Sequence, residues 1–119
     1  MLMQNRVTIL HNPKCSKSRE ALKILRQNNI EPLIIEYLET LLTAETLQDI
    51  LEKLKANPRD IMRKKEKPFI EYNLANETLT KSELIDAIIK HPILLERPIA
   101  ITNKKAIIGR PPQAVLNII

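Results

Sequence analysis

The sequence has 119 residues, of which 44% are apolar and 28% are charged, with one glycine and eight prolines. This composition argues against a disordered chain, and no apolar run reaches the roughly 18 to 20 residues that a membrane-spanning helix requires. The formal net charge of +5 is compatible with anionic ligands or with a solvated lysine surface, whereas the 3% aromatic content argues against nucleic acid as a partner.

The N-terminal segment MLMQNRVTIL does not read as a signal peptide, because it lacks a long apolar region and a small-residue cleavage site. We therefore expect a cytoplasmic protein with no membrane association. Cys15 is the only cysteine, so the chain can form no internal disulfide. Its thiol is either a small buried apolar group or a reactive group that needs a partner from outside the chain.

The chain opens with a strand, a helix and a second strand. Residues 7–10 and 32–37 are short apolar, β-branched runs that predict buried strands. Between them, a helical pattern begins at Ser16 and ends at Asn28. A crossover of this kind makes two strands parallel, and it places Cys15 at the junction of the first strand and the helix.

Helical patterns fill the middle of the chain. Thr43 is the expected N-cap of one helix, and Thr80 with Glu83 forms a capping box for another. Between these helices, residues 58–65 predict a short helix and Pro68 predicts a loop.

The chain closes with two strands and a helix. Residues 99–102 and 106–108 predict a tight hairpin, Gly109 ends its second strand, and residues 113–119 predict a final helix. The order β-α-β, helices, β-β-α predicts an α/β fold of the thioredoxin or glutaredoxin type. It has a mixed four-stranded sheet with a helical insert, and we expect a single domain spanning residues 1–119.

The position of Cys15 favours a reactive thiol over a structural one. The first N–H groups of a helix are unpaired and, with the helix dipole, stabilise a thiolate at its N-terminus. Lys14, Lys17 and Arg19 add positive charge, and Pro13 stiffens the loop before the sulfur.

His11 ends the first predicted strand, four residues before the cysteine. It is predicted to hold the loop through hydrogen bonds, to stabilise the thiolate, or simply to bond the backbone. A metal site is not expected, because one cysteine and two distant histidines give no usual ligand spacing.

The run from His11 to Arg19, His-Asn-Pro-Lys-Cys-Ser-Lys-Ser-Arg, resembles the active-site loop of the glutaredoxin-coupled arsenate reductases. The resemblance continues at residues 59–64, 91–99 and 109–111, so four separated motifs occur in the family order. It implies that Cys15 and His11 are catalytic and that three arginines bind the oxyanion. Those arginines are Arg59, Arg97 and Arg110. The supporting residues it implies are Asn12, Pro13, Ser18, Arg19 and Pro98, with Pro98 in the cis form.

The same resemblance implies a reaction. The Cys15 thiolate attacks arsenate, glutathione serves as the reducing co-substrate, and glutaredoxin clears the mixed disulfide that remains. No tightly bound cofactor and no metal are expected, and we expect a monomer. Guanidinium groups suit such a substrate because they bond tetrahedral oxyanions in a bidentate way.

Two other interpretations stay open. The same fold serves regulatory and binding proteins, although those that sense redox state usually carry a Cys-x-x-Cys pair. Here the corresponding run is Cys15-Ser16-Lys17-Ser18, which excludes a self-contained disulfide switch. The other interpretation is a monothiol, glutathione-dependent oxidoreductase that acts on another substrate.

Overall fold

The computed structural model describes residues 6–119, and the chain divides into two compact units. The first unit combines the described residues up to Thr40 with Arg97–Ile119, and the second is Leu41–Glu96. The expectation about a signal peptide falls partly on residues 1–5, outside the described residues. That residues 1–119 act as one domain stays a prediction.

The first unit is built on a mixed four-stranded sheet, as the sequence predicts. Its strands are β1 (Thr8–Leu10), β2 (Leu33–Ile35), β3 (Ile99–Ile101) and β4 (Ala106–Ile108), in the order β2-β1-β3-β4. β1 is parallel to β2 and antiparallel to β3, and β3 is antiparallel to β4. Each strand is shorter than or equal to its predicted span, since the ends of the apolar runs lie in turns.

Helix α1 (Ser16–Gln27) is the crossover between β1 and β2, and it packs with the sheet and the C-terminal helix. Leu25 on α1, Ile9 on β1 and Ala100 on β3 are fully buried in the shared core. The last helix, Pro112–Ile118, is a 3-10 helix, and its buried residues Pro112, Val115 and Ile118 recur at a spacing of three. That spacing is the repeat of a 3-10 helix and brings all three side chains onto one face.

The second unit is helical. It contains α2 (Ala44–Leu54), α3 (Lys67–Glu71) and α4 (Lys81–Lys90), together with short 3-10 turns at Pro58–Ile61 and Pro92–Leu94. Its core includes Leu47, Ile61, Phe69, Ile88 and Leu94, all buried. Within residues 6–119, no helix has the length and apolar character needed to cross a membrane.

The predicted helix starts in this unit are confirmed. The Thr43 hydroxyl accepts a hydrogen bond from the Thr46 N–H at 3.1 Å. The Thr80 hydroxyl accepts from the Glu83 N–H at 3.1 Å, and the Glu83 carboxylate accepts from the Thr80 N–H at 2.8 Å.

Two predictions in the second unit were wrong. The short helix predicted over residues 58–65 ends at Ile61, and the expected loop around Pro68 is helix α3. Pro68 is the second residue of α3. A proline is tolerated in the first turn because the N–H it lacks would have no helical partner there.

Candidate active site

Asn12 shapes the loop that carries the cysteine. Its carbonyl accepts from the Cys15 N–H at 3.0 Å, and its side-chain oxygen accepts from the Lys14 N–H at 3.0 Å. Its own N–H donates to the buried Ser18 hydroxyl at 3.0 Å. Since one residue fixes both the turn and its attachment to α1, the loop that precedes the sulfur has a defined conformation.

Cys15 is the N-cap of α1. Its backbone is extended, with φ −95° and ψ 124°, and its carbonyl accepts the first helical bond from the Arg19 N–H at 3.0 Å. The half-buried sulfur lies beside the unpaired N–H groups at the start of the helix. The prediction that the thiol lies at a helix N-terminus is therefore confirmed.

The pKa of the Cys15 thiol lies below its ordinary value. Partial burial raises this pKa, because it disfavours the charged thiolate. The backbone N–H of Ser18, the Arg97 guanidinium and the backbone N–H of Lys17 lower it, and together they outweigh burial. A larger fraction of this thiol is consequently in the thiolate form near neutral pH than in a free cysteine, and the thiolate is the nucleophile.

Two of the three predicted arginines lie next to the sulfur. Arg110 directs Nη2 to the Cys15 sulfur at 3.9 Å, and its Nε donates to the Arg97 carbonyl at 3.0 Å. Arg97 hydrogen-bonds to the thiolate, while its buried Nε and Nη1 have no hydrogen-bond acceptor among the described residues. Two buried N–H donors of the same guanidinium therefore lack an acceptor, as in an arginine that binds an oxyanion.

The two arginines are carried by matching Arg-Pro pairs. The Arg97–Pro98 and Arg110–Pro111 peptide bonds are both cis, which confirms the prediction for Pro98 and adds a second case that the sequence did not indicate. Gly109 links the pairs, because its N–H donates to the Pro98 carbonyl at 2.8 Å. A Cβ at position 109 would lie 2.7 Å from Pro98 Cγ, so only glycine fits.

His11 contacts Ser18. The two are buried, and His11 Nδ1 lies 2.6 Å from the Ser18 hydroxyl oxygen. Burial lowers the pKa of His11; Glu36 raises it, and Arg26 and Arg19 lower it. The imidazole is therefore neutral at pH 7. Of the roles predicted for His11, this bond favours positioning the loop, through Ser18 and Asn12.

Pro13 and Arg19 support the same loop. The Arg19 Nη1 donates to the Pro13 carbonyl at 2.9 Å, so the first turn of α1 holds the segment that precedes the cysteine. The structure thus brings together, in the first unit, nearly all of the predicted site residues. They are His11, Asn12, Pro13, Cys15, Ser18, Arg19, Arg97, Pro98 and Arg110.

Arg59 belongs to the second unit. Its Nε donates to the Leu74 carbonyl at 2.9 Å and its Nη2 to the Asn76 carbonyl. Its part in oxyanion binding stays a prediction from the resemblance. Among residues 6–119, no group of three His, Cys, Asp or Glu side chains has the arrangement of a metal site.

The sequence did not indicate that Gly109 is a functional residue. The available signal was its uniqueness: it is the only glycine in the chain, and it directly precedes an Arg-Pro pair. A lone glycine in such a place often marks a close backbone approach.

Comparison with known proteins extends this description over almost the whole chain. A family model described as the ArsC family matches residues 10–118. An arsenate reductase of Haemophilus influenzae is 46% identical over 114 residues, which are 95% of this chain and 98% of that protein. The uncharacterized protein YfgD of Escherichia coli is 49% identical over 118 residues, 98% of this chain and 99% of that one.

The solved structures agree. An arsenate reductase from Vibrio cholerae superposes with a TM-score of 0.94 at 44% identity, covering 98% of this chain and all of that one. The predicted thioredoxin-like fold is confirmed by this match. The family match spans both compact units and contains all four motifs singled out in the sequence. The chain therefore belongs to the ArsC family, as the sequence motifs predict.

Proposed function

We propose that this protein reduces arsenate to arsenite, with the Cys15 thiolate as nucleophile and glutathione as the reducing co-substrate. The observation that carries the proposal is the pairing of an activated thiol with the buried, unpaired N–H donors of Arg97. An activated thiol alone fits many redox proteins. Donors for an anion beside it favour a tetrahedral oxyanion as the substrate.

The proposed chemistry joins one protein thiol and one glutathione thiol. The Cys15 sulfur displaces a hydroxyl from arsenate, which leaves as water, and a sulfur–arsenic bond forms. Arg97 and Arg110 offset the negative charge that develops on the oxygens. Glutathione then supplies the second sulfur. A Cys15–glutathione disulfide forms, two electrons pass from the two thiols to arsenic(V), and arsenite leaves.

The enzyme is restored by thiol exchange. A glutaredoxin thiol attacks the mixed disulfide, takes the glutathione and releases the Cys15 thiol. Because Cys15 is the only cysteine in the sequence, the second thiol must come from another molecule. This requirement fits the cytosol, where glutathione keeps thiols reduced.

The test is arsenate-dependent NADPH oxidation by the purified protein, coupled through glutathione, glutaredoxin and glutathione reductase. We expect turnover by the native protein and none by Cys15→Ser, whose fold should persist. If Cys15 alkylation shows the lowered thiol pKa but the protein does not turn over arsenate, a monothiol oxidoreductase that acts on another substrate is favoured instead.

The anion donors are tested separately by measuring arsenate binding in the Cys15→Ser protein, where no reaction can follow. The substitutions below are made in that background. A charge-assisted hydrogen bond contributes about 1.5 to 3 kcal/mol, so Arg97→Ala should weaken binding by roughly one to two decades. Lys at this position should restore only part of the affinity, because it lacks the planar fork. The matched control is Lys104→Ala, an exposed residue on the β3–β4 turn, which should bind normally. Equal affinity for both variants would show that Arg97 does not hold arsenate, and would remove the observation on which the proposal rests.

A further inference from the structure

A basic groove runs along α1 from the cysteine loop. It has a volume of about 590 Å³, and its walls include Pro13 of the loop and Arg19, Leu22, Lys23 and Arg26 of the helix. No acidic residue lines it among the described residues. Its volume is that of a small-molecule site, and its charge favours an anionic ligand.

We propose that this groove binds glutathione, with one terminal carboxylate of the tripeptide held by Arg19 and Lys23. The inference rests on the proposed function, because it locates the co-substrate of that reaction. Glutathione carries two carboxylates and one ammonium group, so it has a net negative charge at neutral pH. Arg26 adds positive potential at the far end of the groove.

Distances along the helix agree with the length of the ligand. A disulfide separates the two Cα atoms it joins by about 5.5 to 6 Å, and each end of glutathione lies about 4 to 7 Å beyond its cysteine. A carboxylate of glutathione linked to Cys15 therefore reaches about 10 to 13 Å from the Cys15 Cα. At 1.5 Å per residue, Arg19 lies about 6 Å and Lys23 about 12 Å along α1.

The three basic side chains of the groove differ in how far other residues already bind them. Arg19 lines the groove and donates Nη1 to the Pro13 carbonyl, so one of its nitrogens already holds the loop. Arg26 pairs with Glu31 at 3.0 Å, but both side chains are largely exposed, and such pairs exchange partners at little cost. Lys23 is exposed. It is the best single test, since its replacement leaves the cysteine loop intact.

The first experiment measures binding without chemistry. S-methylglutathione, which cannot form a disulfide, is titrated into the full-length protein while backbone amide shifts are followed by NMR. We expect shifts at Arg19, Lys23 and Gln27, and an affinity reduced about five- to tenfold by Lys23→Glu. The matched control, Lys104→Glu, carries the same charge change outside the groove and should bind within about twofold of the native protein.

The second experiment measures turnover. Lys23→Glu should raise the KM for glutathione about five- to tenfold while kcat at saturating glutathione changes little, because only ground-state docking is lost. If the protein does not reduce arsenate at all, the proposed function fails, and the binding experiment still decides whether the groove takes glutathione.

Any one of the following results would overturn the proposal. S-methylglutathione could shift amides elsewhere, or its affinity could be insensitive to Lys23→Glu. Inorganic phosphate at the same concentration could give the same shifts, which would make the groove a general anion site. Lys23→Glu could raise the KM for glutaredoxin and leave S-methylglutathione binding unchanged, which would assign the groove to the protein partner.

Discussion

At the scale of single residues, the Cys15 site depends on Arg97. The guanidinium lowers the pKa of the thiol, and it competes with the effect of partial burial. Removing the charge while keeping a polar side chain should therefore raise the thiol pKa.

We expect the native alkylation rate to reach half its maximum at a pH below the free-cysteine value of about 8.5. Arg97→Gln should shift this midpoint upward, because burial then acts with one fewer opposing charge. The measurement is the rate of iodoacetamide labelling against pH. Lys104→Gln is the control, since Lys104 is exposed on the β3–β4 turn and should leave the midpoint in place. A native midpoint at or above the free value would contradict the activated thiol.

Because His11 is buried, we expect the free energy of unfolding to decrease in mild acid. Burial lowers its pKa in the folded state, so the unfolded chain binds the proton more readily. As pH falls through the unfolded value of about 6.5 toward the folded one, stability must decrease. The loss attributable to this group by pH 5.5 is at most about 1.4 kcal/mol.

Urea unfolding at pH 7.5 and pH 5.5 measures the effect. The native protein should lose more unfolding free energy over this interval than His11→Gln, which cannot titrate there. An equal loss in both proteins would mean that the folded state accepts the proton as easily as the unfolded chain.

At the scale of elements, β4 and the C-terminal 3-10 helix meet at Gly109. A methyl group there would contact Pro98 Cγ at 2.7 Å and Val115 Cγ1 at 3.1 Å. The proline ring is rigid, so Gly109→Ala has to displace the backbone that carries Arg97.

We expect Gly109→Ala to lower the free energy of unfolding by about 1 to 3 kcal/mol, as overpacking does. It should also raise the pH midpoint of Cys15 alkylation, because Arg97 moves relative to the sulfur. Gln113→Ala, a change at an exposed neighbouring position, should alter neither quantity. Unchanged stability and an unchanged midpoint in Gly109→Ala would show that the backbone relaxes without moving Arg97.

The sequence predicted elements best where the local signal and the tertiary structure agree. The capping box at Thr80 and the strand–loop–helix pattern around Cys15 are local signals, and both were confirmed. Helix α3 was missed because Pro68 was interpreted as a helix breaker, although it lies in the first turn. The 3-10 form of the last helix is visible in the three-residue spacing of Pro112, Val115 and Ile118, but only once their shared burial is known.

The site residues also divide into those that a local pattern predicts and those that depend on contacts between distant parts of the chain. Cys15 was predictable from its position at a helix start, without any distant contact. The approach of Arg110 to its sulfur joins residues 95 positions apart, and no local pattern encodes such a contact. The resemblance to a family supplied it. Neither source indicated the basic groove, since Arg19, Lys23 and Arg26 look like an ordinary solvated helix face until the loop is placed beside them.

At the scale of the whole molecule, the single cysteine determines which reductants can serve. Turnover should require glutathione with glutaredoxin, and thioredoxin alone should be a poor substitute, since no second thiol in the chain can form an internal disulfide. When glutaredoxin is withheld, mass spectrometry should find one glutathione on Cys15. Full turnover with thioredoxin and no glutathione would contradict the proposed scheme.

The first unit is discontinuous, and this affects the newly made chain. Cys15 is synthesised early, whereas Arg110 follows it by 95 residues, after all of the second unit. At about 5 to 20 residues per second, a ribosome needs roughly 5 to 19 seconds to cover that distance. Arg97 and β3 also follow the second unit. The nascent cysteine therefore spends these seconds without Arg110, and the part of its activation that Arg97 and Arg110 supply should appear only after both have been made.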